Sequence, residues 1–292
     1  MTQTIGLIGL GLMGQGFSRR LKELGYRVIG FDIDAAKVAQ AKALGVEAAD
    51  FPAAVATASD IVLVCVINTA AVEDVISGPS GIVTAGRLNG KVLVDHSTTE
   101  IEATKFQAQA LAERTGMAFI DAPVSGGPDA ARTGTLAIMA GGDETAIRKV
   151  APVMGKLGQF THMGAVGAGQ ATKLVNQTLV LTNYCVIAEA VRLAQAYGVD
   201  VKKIPDALAP GHAGSNLLPI ALPRMVDEDF APRGYARQVL KDLEMLQAAA
   251  REHHLAMPMA AQALTLFRML VAGGKSELDG SAVVSLIPKP AP

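Results

Sequence analysis

The chain predicts an α/β protein: a Rossmann-type domain with a doubly wound parallel sheet, followed by an all-α domain. Three observations lead there. A short apolar run, Ile5-Gly6-Leu7-Ile8, feeds directly into Gly9-x-Gly11-x-x-Gly14. Over roughly the first 165 residues, β-type runs alternate with helical patterns, as in parallel sheets built from βαβ units. Beyond the glycine-rich stretch 164–169 the β-type runs vanish and helical periodicity takes over.

The opening unit reads as a dinucleotide site. Gly9 suits a tight turn, Gly11 lets backbone approach a pyrophosphate, and Gly14 lets helix and strand pack closely. The helix that follows has Met13, Phe17, Leu21 and Leu24 on one face and ends at Gly25. Its N-terminus offers unpaired N–H groups and a positive dipole end to phosphates. A second strand, 27–31, finishes at Asp32, where a carboxylate can accept both hydroxyls of an adenosine ribose. Gly9, Leu10, Gly11, Leu12, Met13, Gly14 and Asp32 are therefore the expected cofactor contacts. Asp32 would repel a 2′-phosphate, and Ile33 stands where NADP users commonly carry an arginine, so NAD rather than NADP is expected.

Helices are expected near 34–44 and 52–58. Strand 61–67 is apolar throughout, as for a strand buried on both faces. Strand 92–95 precedes helix 101–114, and further strands fall at 118–121, 136–139 and 159–162. After the hinge, a long helix spans about 170–197 and stops at Gly198. Shorter helices follow near 201–208, 216–226, 236–253, 258–271 and 281–286. The expected domains are 1–164 for the dinucleotide and 165–287 for substrate and dimerisation, with 288–292 a disordered tail.

Composition narrows the function classes. The 292 residues are 50% hydrophobic and carry a net charge of −1 with no basic block, which argues against nucleic acid or an anionic membrane. The two cysteines sit in apolar runs and read as buried free thiols of a reducing compartment. The five histidines show no metal-ligand spacing, so no metal is expected. The N-terminus enters a strand at once, and the apolar stretch 174–191 contains Asn176, Gln177, Asn183 and Glu189. That pattern suits a helix buried in protein rather than lipid, so a cytoplasmic location is expected. Its apolar residues occupy more than one face, which calls for a homodimer or homotetramer to cover them.

Three segments carry the chemistry. In 121–127, Asp-Ala-Pro-Val-Ser-Gly-Gly, a strand end followed by Ser125, Gly126 and Gly127 exposes backbone N–H groups and a hydroxyl, a nest suited to a carboxylate or simply a capped turn. In 167–177, Lys173 and Asn176 share a helical face among apolar neighbours. Such a lysine is either a snorkelling surface residue or a desolvated catalytic ammonium. The third is Val239-Leu240-Lys241-Asp242-Leu243, alone no more than a charged pair on an amphipathic helix.

Together these motifs closely resemble the 3-hydroxyacid dehydrogenase family, which includes 3-hydroxyisobutyrate dehydrogenases and tartronate semialdehyde reductases. The resemblance runs from 6–14 to 279–282 and includes the family's Asp-x-Pro-Val-Ser-Gly-Gly at 121–127, Gly-x-Gly-x-x-x-Lys-x-x-Asn at 167–176 and Lys-Asp-Leu at 241–243. Segments 173–177 and 213–215 look most like the tartronate semialdehyde reductase branch. The resemblance implies that Lys173 is catalytic, that Ser125, Gly126, Gly127 and Asn176 hold a small hydroxy acid, and that Lys241 lines the site. It further implies that Val66, Ile67, Asn68 and Thr98 border the cofactor. The segment before Lys241 departs from the usual Gly-Phe-x-x-x-Leu-x-x-Lys-Asp: Arg237 stands there, one helical turn before Lys241. Its guanidinium suits a second substrate carboxylate, or else a surface ion pair with Asp229 or Glu244. Three alternatives share the fold. An imine reductase usually lacks the Ser-Gly-Gly and lysine pair, a decarboxylating sugar-acid dehydrogenase is longer after the hinge, and a non-catalytic dinucleotide-binding scaffold is expected to lack Lys173.

Overall fold

A computed structural model describes residues 3–290 and divides into two compact units, Met1–Lys173 and Leu174–Pro292. The first unit runs β1 (Thr4–Ile8), α1 (Leu12–Glu23), β2 (Arg27–Phe31), α2 (Ala35–Ala43), β3 (Glu47–Ala48), α3 (Pro52–Ala58) and β4 (Ile61–Val64). It continues with α4 (Thr69–Ser77), β5 (Val92–Asp95), α5 (Ile101–Thr115), β6 (Ala118–Asp121), β7 (Val124–Ser125), α6 (Gly127–Thr133), β8 (Leu136–Gly142), α7 (Glu144–Met154) and β9 (Gly158–Gly164). The sheet order is β3-β2-β1-β4-β5-β6-β8-β7, with β9 on β8. From β3 to β6 all pairs are parallel. β8 then runs antiparallel to both β6 and β7. The mostly parallel, helix-flanked architecture is the one the sequence predicts.

The core sits on both faces of the sheet because successive side chains on a strand point to opposite sides. Ile61, Leu63, Val92, Val94 and Ile120 join one buried cluster with Phe17 and Leu21 of α1. Val62, Val64, Leu93 and Phe119 join a second with Val55, Val72 and Leu111 of α3, α4 and α5. Truncating a fully buried member such as Leu21 to alanine costs on the order of 2–5 kcal/mol.

Four pairings place strand ends in one row: Ile8 opposite Phe31 and Val64, Val64 opposite Asp95, and Asp95 opposite Asp121. Every loop beyond that row leaves the sheet from the same edge. The strand expected at 61–67 ends earlier, at Val64, because Val66 N–H turns away to the Ser97 hydroxyl at 3.0 Å. Three helices, α4, α6 and α7, stand where no element is expected from the sequence. Caps start two of them: Asn68 accepts from Ala71 N, and Asp143 from Thr145 N and Ala146 N. In α7, Ile147, Val150, Val153 and Met154 do fall at helical spacing and are buried.

A 29-residue helix, α8 (Ala168–Ala196), begins in the first unit and continues into the second. The second unit adds α9 (Ile204–Leu208), α10 (Leu218–Asp227), α11 (Ala236–Glu252) and α12 (Pro258–Ala272). Segment Gly280–Leu286 is a 3₁₀ helix rather than an α-helix, started by the Asp279 side chain on Ser281 N. Asp279 is buried, pairs with Arg224 Nη1 at 3.0 Å and accepts the N–H groups of Arg233 and Gly234, which fixes the chain entering α11. Lys289 pairs with Glu228 at 2.7 Å, while the expected disorder at residues 291 and 292 lies outside the described residues. Cys185 is buried and Cys65 only half-buried, and neither is disulfide-bonded.

His96, just past β5, is buried with its ring stacked on Phe17 at 5.0 Å between centroids. Its Nδ1 donates to the Ala122 carbonyl at 2.6 Å, and desolvation pulls its pKa from 6.5 down to about 4. Between those two values the unfolded chain takes up a proton that the folded chain refuses. His96 thus contributes stability that is present above pH 6.5 and lost as pH falls toward 4. A His96→Asn variant should lose less Tm than wild type on moving from pH 7 to pH 5. Parallel Tm curves would contradict this account.

Candidate active site

The glycine loop between β1 and α1 has little room for anything else. A Cβ on Gly9, whose φ is +94°, would lie 2.2 Å from the Cys65 carbonyl oxygen, and one on Gly14 would lie 2.1 Å from the Gly9 oxygen. Gly11 differs: a Cβ there meets nothing within 4 Å. That open side lies at the N-cap of α1, where no side chain caps the helix and no acid occupies the first turn. Unpaired N–H groups facing open space fit a pyrophosphate.

Asp32, at the end of β2, closes this loop. Its Oδ2 accepts the Leu10 N–H at 2.7 Å and its Oδ1 accepts the Asp34 N–H at 2.9 Å. The carboxylate therefore braces the glycine loop, a role that spacing alone does not reveal. Lys37 Nζ stands 3.9 Å from Asp32 and 3.6 Å from Asp34. Leu12 and Ile33 are exposed and Met13 half-buried.

Beyond β4 and β5 come Val66, Ile67, Asn68 and Thr98. Ile67 is exposed, Val66 is bonded to Ser97, and Asn68 is spent as the α4 cap. Thr98 is half-buried beside Ser97, whose N–H donates to Asp95 Oδ1 at 2.9 Å.

Ser125 ends β7, and Gly126 (φ +127°) and Gly127 (φ +72°) turn the chain into α6. A Cβ on Gly126 would lie 2.6 Å from that of Ala130, while Gly127 faces open space. Two successive positive-φ residues next to a hydroxyl make a small concavity of donors suited to an anion. Lys173, from the second turn of α8, is 7% exposed, and its Nζ donates to the Val124 carbonyl at 2.8 Å. The lysine thus meets the strand that carries the Ser125–Gly127 turn, all within the first unit.

Two residues absent from the sequence-based candidates hold the start of α8. Asp121 accepts the Gly167 and Gln170 N–H groups, each at 2.8 Å. The Gln170 side chain bonds Ser97 O at 2.9 Å and Thr99 N at 3.1 Å. A sequence cue for Gln170 existed: it precedes Lys173 by three residues, on the same helical face.

In the second unit, Asn176 and Lys241 are linked through Gln177 and Asp242. Gln177 Nε2 donates to Asp242 Oδ2, Asn176 Nδ2 donates to Gln177 Oε1 at 2.9 Å, and Lys241 Nζ lies 3.0 Å from Asp242 Oδ1. A carboxylate accepts only, so Gln177 must turn its amide nitrogen to Asp242 and its oxygen to Asn176. That order uses the Asn176 amide nitrogen for Gln177 and leaves its carbonyl oxygen out of the chain of bonds. The Lys241-Asp242 pair is no plain surface pair, since Asp242 is buried. Arg237 Nε bonds Glu277 at 2.7 Å, and its guanidinium lies 4.4 Å from the Tyr235 ring centroid. Neither Asp229 nor Glu244 is that partner.

The strand row, the glycine loop and the open helix N-terminus define a dinucleotide-binding domain. Comparison with known proteins agrees. Residues 4–191 match the NAD-binding domain of 6-phosphogluconate dehydrogenase, and residues 167–287 match the NAD-binding domain of NADP-dependent 3-hydroxyisobutyrate dehydrogenase. The chain is 35% identical to the 2-hydroxy-3-oxopropionate reductase of Escherichia coli, over 97% of this chain and 96% of that one. It is also 35% identical to the 2-(hydroxymethyl)glutarate dehydrogenase of Eubacterium barkeri, over 97% and 94%. A crystal structure of 3-hydroxyisobutyrate dehydrogenase from Salmonella typhimurium superposes with a TM-score of 0.88 at 27% identity, covering 98% of this chain and 100% of that one. The chain belongs to the 3-hydroxyacid dehydrogenase family, a family of NAD(P)-dependent oxidoreductases.

The two glycines separate packing from binding. Gly11→Ala should keep Tm within about 2 °C of wild type but weaken NADH binding at least about 10-fold, near 1.4 kcal/mol. Gly14→Ala, with its Cβ against backbone, should lower Tm. Fluorescence titration of NADH and thermal melts check both, and unchanged NADH affinity in Gly11→Ala would contradict this placement of the pyrophosphate.

Proposed function

We propose that this protein interconverts a 3-hydroxy carboxylic acid and its semialdehyde, with NAD as hydride carrier and Lys173 as the general acid–base group. Lys173 itself carries this reading: a buried lysine whose Nζ is 2.8 Å from Val124 O, beside a turn of anion-ready donors. Residues 1–164 form the dinucleotide body in this reading, and residues 165–287 the substrate-side helical body.

Gly9 to Gly14 would hold the pyrophosphate at the α1 N-terminus, Asp32 would hold the adenosine ribose, and Val66, Ile67, Asn68 and Thr98 would border the cofactor. When bound, the nicotinamide would supply hydride exchange at the alcohol carbon. The substrate carboxylate rests on Ser125, Gly126 and Gly127. In the reductive direction the Lys173 ammonium gives its proton to the developing alkoxide, and in oxidation the neutral amine takes the hydroxyl proton. In the helical unit, Asn176 and Lys241, the latter held by Asp242, are the substrate-side polar residues of this reading. A preference for NAD is supported by the buried Asp32 carboxylate and by Ile33 beside it.

We further propose self-association along α8. Val175, Leu179, Val186, Leu193 and Tyr197 recur at four- and seven-residue spacing and are all exposed, whereas Leu174, Leu181 and Ile187 are buried. An apolar stripe of that length fits another copy of the chain better than water. The location proposed with this reading is cytoplasmic.

A panel of small 3-hydroxy acids and their semialdehydes, followed by NADH absorbance with NAD and NADP in parallel, tests the activity. Lys173→Ala should lower kcat by about 10²–10⁴-fold and leave NADH binding nearly unchanged. Turnover within a few-fold of wild type would overturn the role of Lys173, and a higher kcat/KM with NADP would overturn the cofactor preference.

A second substrate reading has its own support. The Eubacterium barkeri relative is named for a hydroxymethyl-substituted glutarate, which is a dicarboxylic acid. Arg237 stands one turn before Lys241 and is the natural partner for a second carboxylate, exchanging Glu277 for substrate. Arg237→Ala should then lower kcat/KM for dicarboxylic substrates by about 10-fold or more and shift selectivity toward shorter acids. Equal losses across the panel, or none, would leave Arg237 as a structural partner of Glu277 and Tyr235.

A further inference from the structure

The carboxylate of Asp121 lies at the end of β6 with no exposed surface. Its two oxygens take the N–H groups of Gly167 and Gln170, each at 2.8 Å. These are among the donors that a helix leaves unpaired at its start, and α8 starts at Ala168. Glycines at two neighbouring positions leave room for this carboxylate. A Cβ on Gly141 would lie 2.6 Å from Asp121 Oδ1, and one on Gly169 would lie 2.8 Å from Oδ2 and 2.4 Å from the Met139 oxygen. Burial pushes the Asp121 pKa up to about 6 while the backbone N–H groups pull it back, so the group is ionised at neutral pH.

Gln170 ties the same turn to another strand end. Its amide bonds Ser97 O and Thr99 N, and the Ser97 hydroxyl takes the Val66 N–H at 3.0 Å. Gln170 is 1% exposed, so water does not compete for these bonds. The first turn of α8 is thereby held from β6 on one side and from the loops after β4 and β5 on the other. Lys173 comes three residues later.

We propose that Asp121 and Gln170 are positioning residues for Lys173. Asp121 fixes the height and direction of the first turn of α8, and Gln170 fixes its rotation against the loops at the ends of β4 and β5. Together they hold Nζ at Val124 O beside the Ser125–Gly127 turn. This inference rests on the reading of Lys173 as the proton-transfer group, and neither residue touches the reacting atoms. Asparagine at 121 would place an NH₂ against an N–H that also has to donate, so one helix-start bond is lost. Methionine at 170 keeps the volume and loses both amide bonds.

The experiment measures Asp121→Asn and Gln170→Met beside wild type in three ways: steady-state kinetics, NADH binding and trace acetylation of Lys173. Acetylation uses limiting acetic anhydride without substrate, read by peptide mass spectrometry against surface lysines. Expected are a 10- to 100-fold fall in kcat, an NADH Kd within twofold of wild type, and Lys173 acetylation at least fivefold faster as Nζ leaves Val124 O. A residue that merely stabilises the fold would lower Tm without changing the relative reactivity of Lys173. Should Asp121→Asn fail to fold, Gln170→Met decides by the same readouts. Unchanged relative acetylation with kcat within threefold of wild type would overturn the proposal. Should the wild type turn over no hydroxy acid, the functional reading falls and acetylation alone still decides the positioning.

Discussion

The parallel register of β1 between β2 and β4 is the constraint on which the rest of the first unit depends. With Ile8 level with Phe31 and Val64, and Val64 level in turn with Asp95 and then Asp121, five chain segments leave the sheet along one line. Ligands of open α/β sheets bind at such an edge, where strand order reverses. Here β2 and β4 flank β1, so the glycine loop lies at the reversal. A one-residue slip of β1 would turn the Ile5 and Leu7 side chains out of their cluster and move Gly9 off the Phe31 carbonyl that its N–H bonds at 2.9 Å.

Polar groups buried along that line set the site's electrostatics. Desolvation drives His96 toward its neutral form and Asp121 toward its protonated form, which affects folding with opposite signs. The His96 contribution fades as pH falls toward 4. The raised Asp121 pKa favours the folded state as pH falls through about 6, because the folded chain then binds the proton more readily than the unfolded one. Burying a carboxylate is costly, and each charge-assisted N–H bond returns roughly 1.5–3 kcal/mol. Two such bonds explain why Asp121 is tolerated in the core and why it grips the helix start.

Much of the fold was legible in the sequence because its signals are local. The Gly9–Gly14 loop, the acid at 32, the apolar strands and the change of periodicity after residue 164 each lie within a short window. The antiparallel direction of β8 was not legible, since it depends on a long-range pairing, and the short helix α4 leans on a single capping residue. By contrast, α7 carries a local signal, Ile147, Val150, Val153 and Met154 at helical spacing, that went unread. For the candidate site, residue types could be read but partners could not. Asp121 meets Gly167 across 46 residues, Gln170 meets Ser97 across 73, and Arg237 meets Glu277 across 40. No periodicity records such contacts. The Arg237 pairing shows the limit most clearly, because Asp229 and Glu244 were the acids considered for a surface ion pair and Glu277 is the partner.

Hydride delivery to the carbonyl carbon is the step that the whole arrangement serves, and isotope transfer reads it directly. NADH carrying deuterium at both C4 positions, incubated with the protein and tartronate semialdehyde in ordinary water, should yield a hydroxy acid with one deuterium on the carbinol carbon. The hydroxyl proton should come from solvent. A product without carbon-bound deuterium, or no product from any semialdehyde of the panel while NADH binds, would contradict the assignment of this site as a hydroxy-acid dehydrogenase.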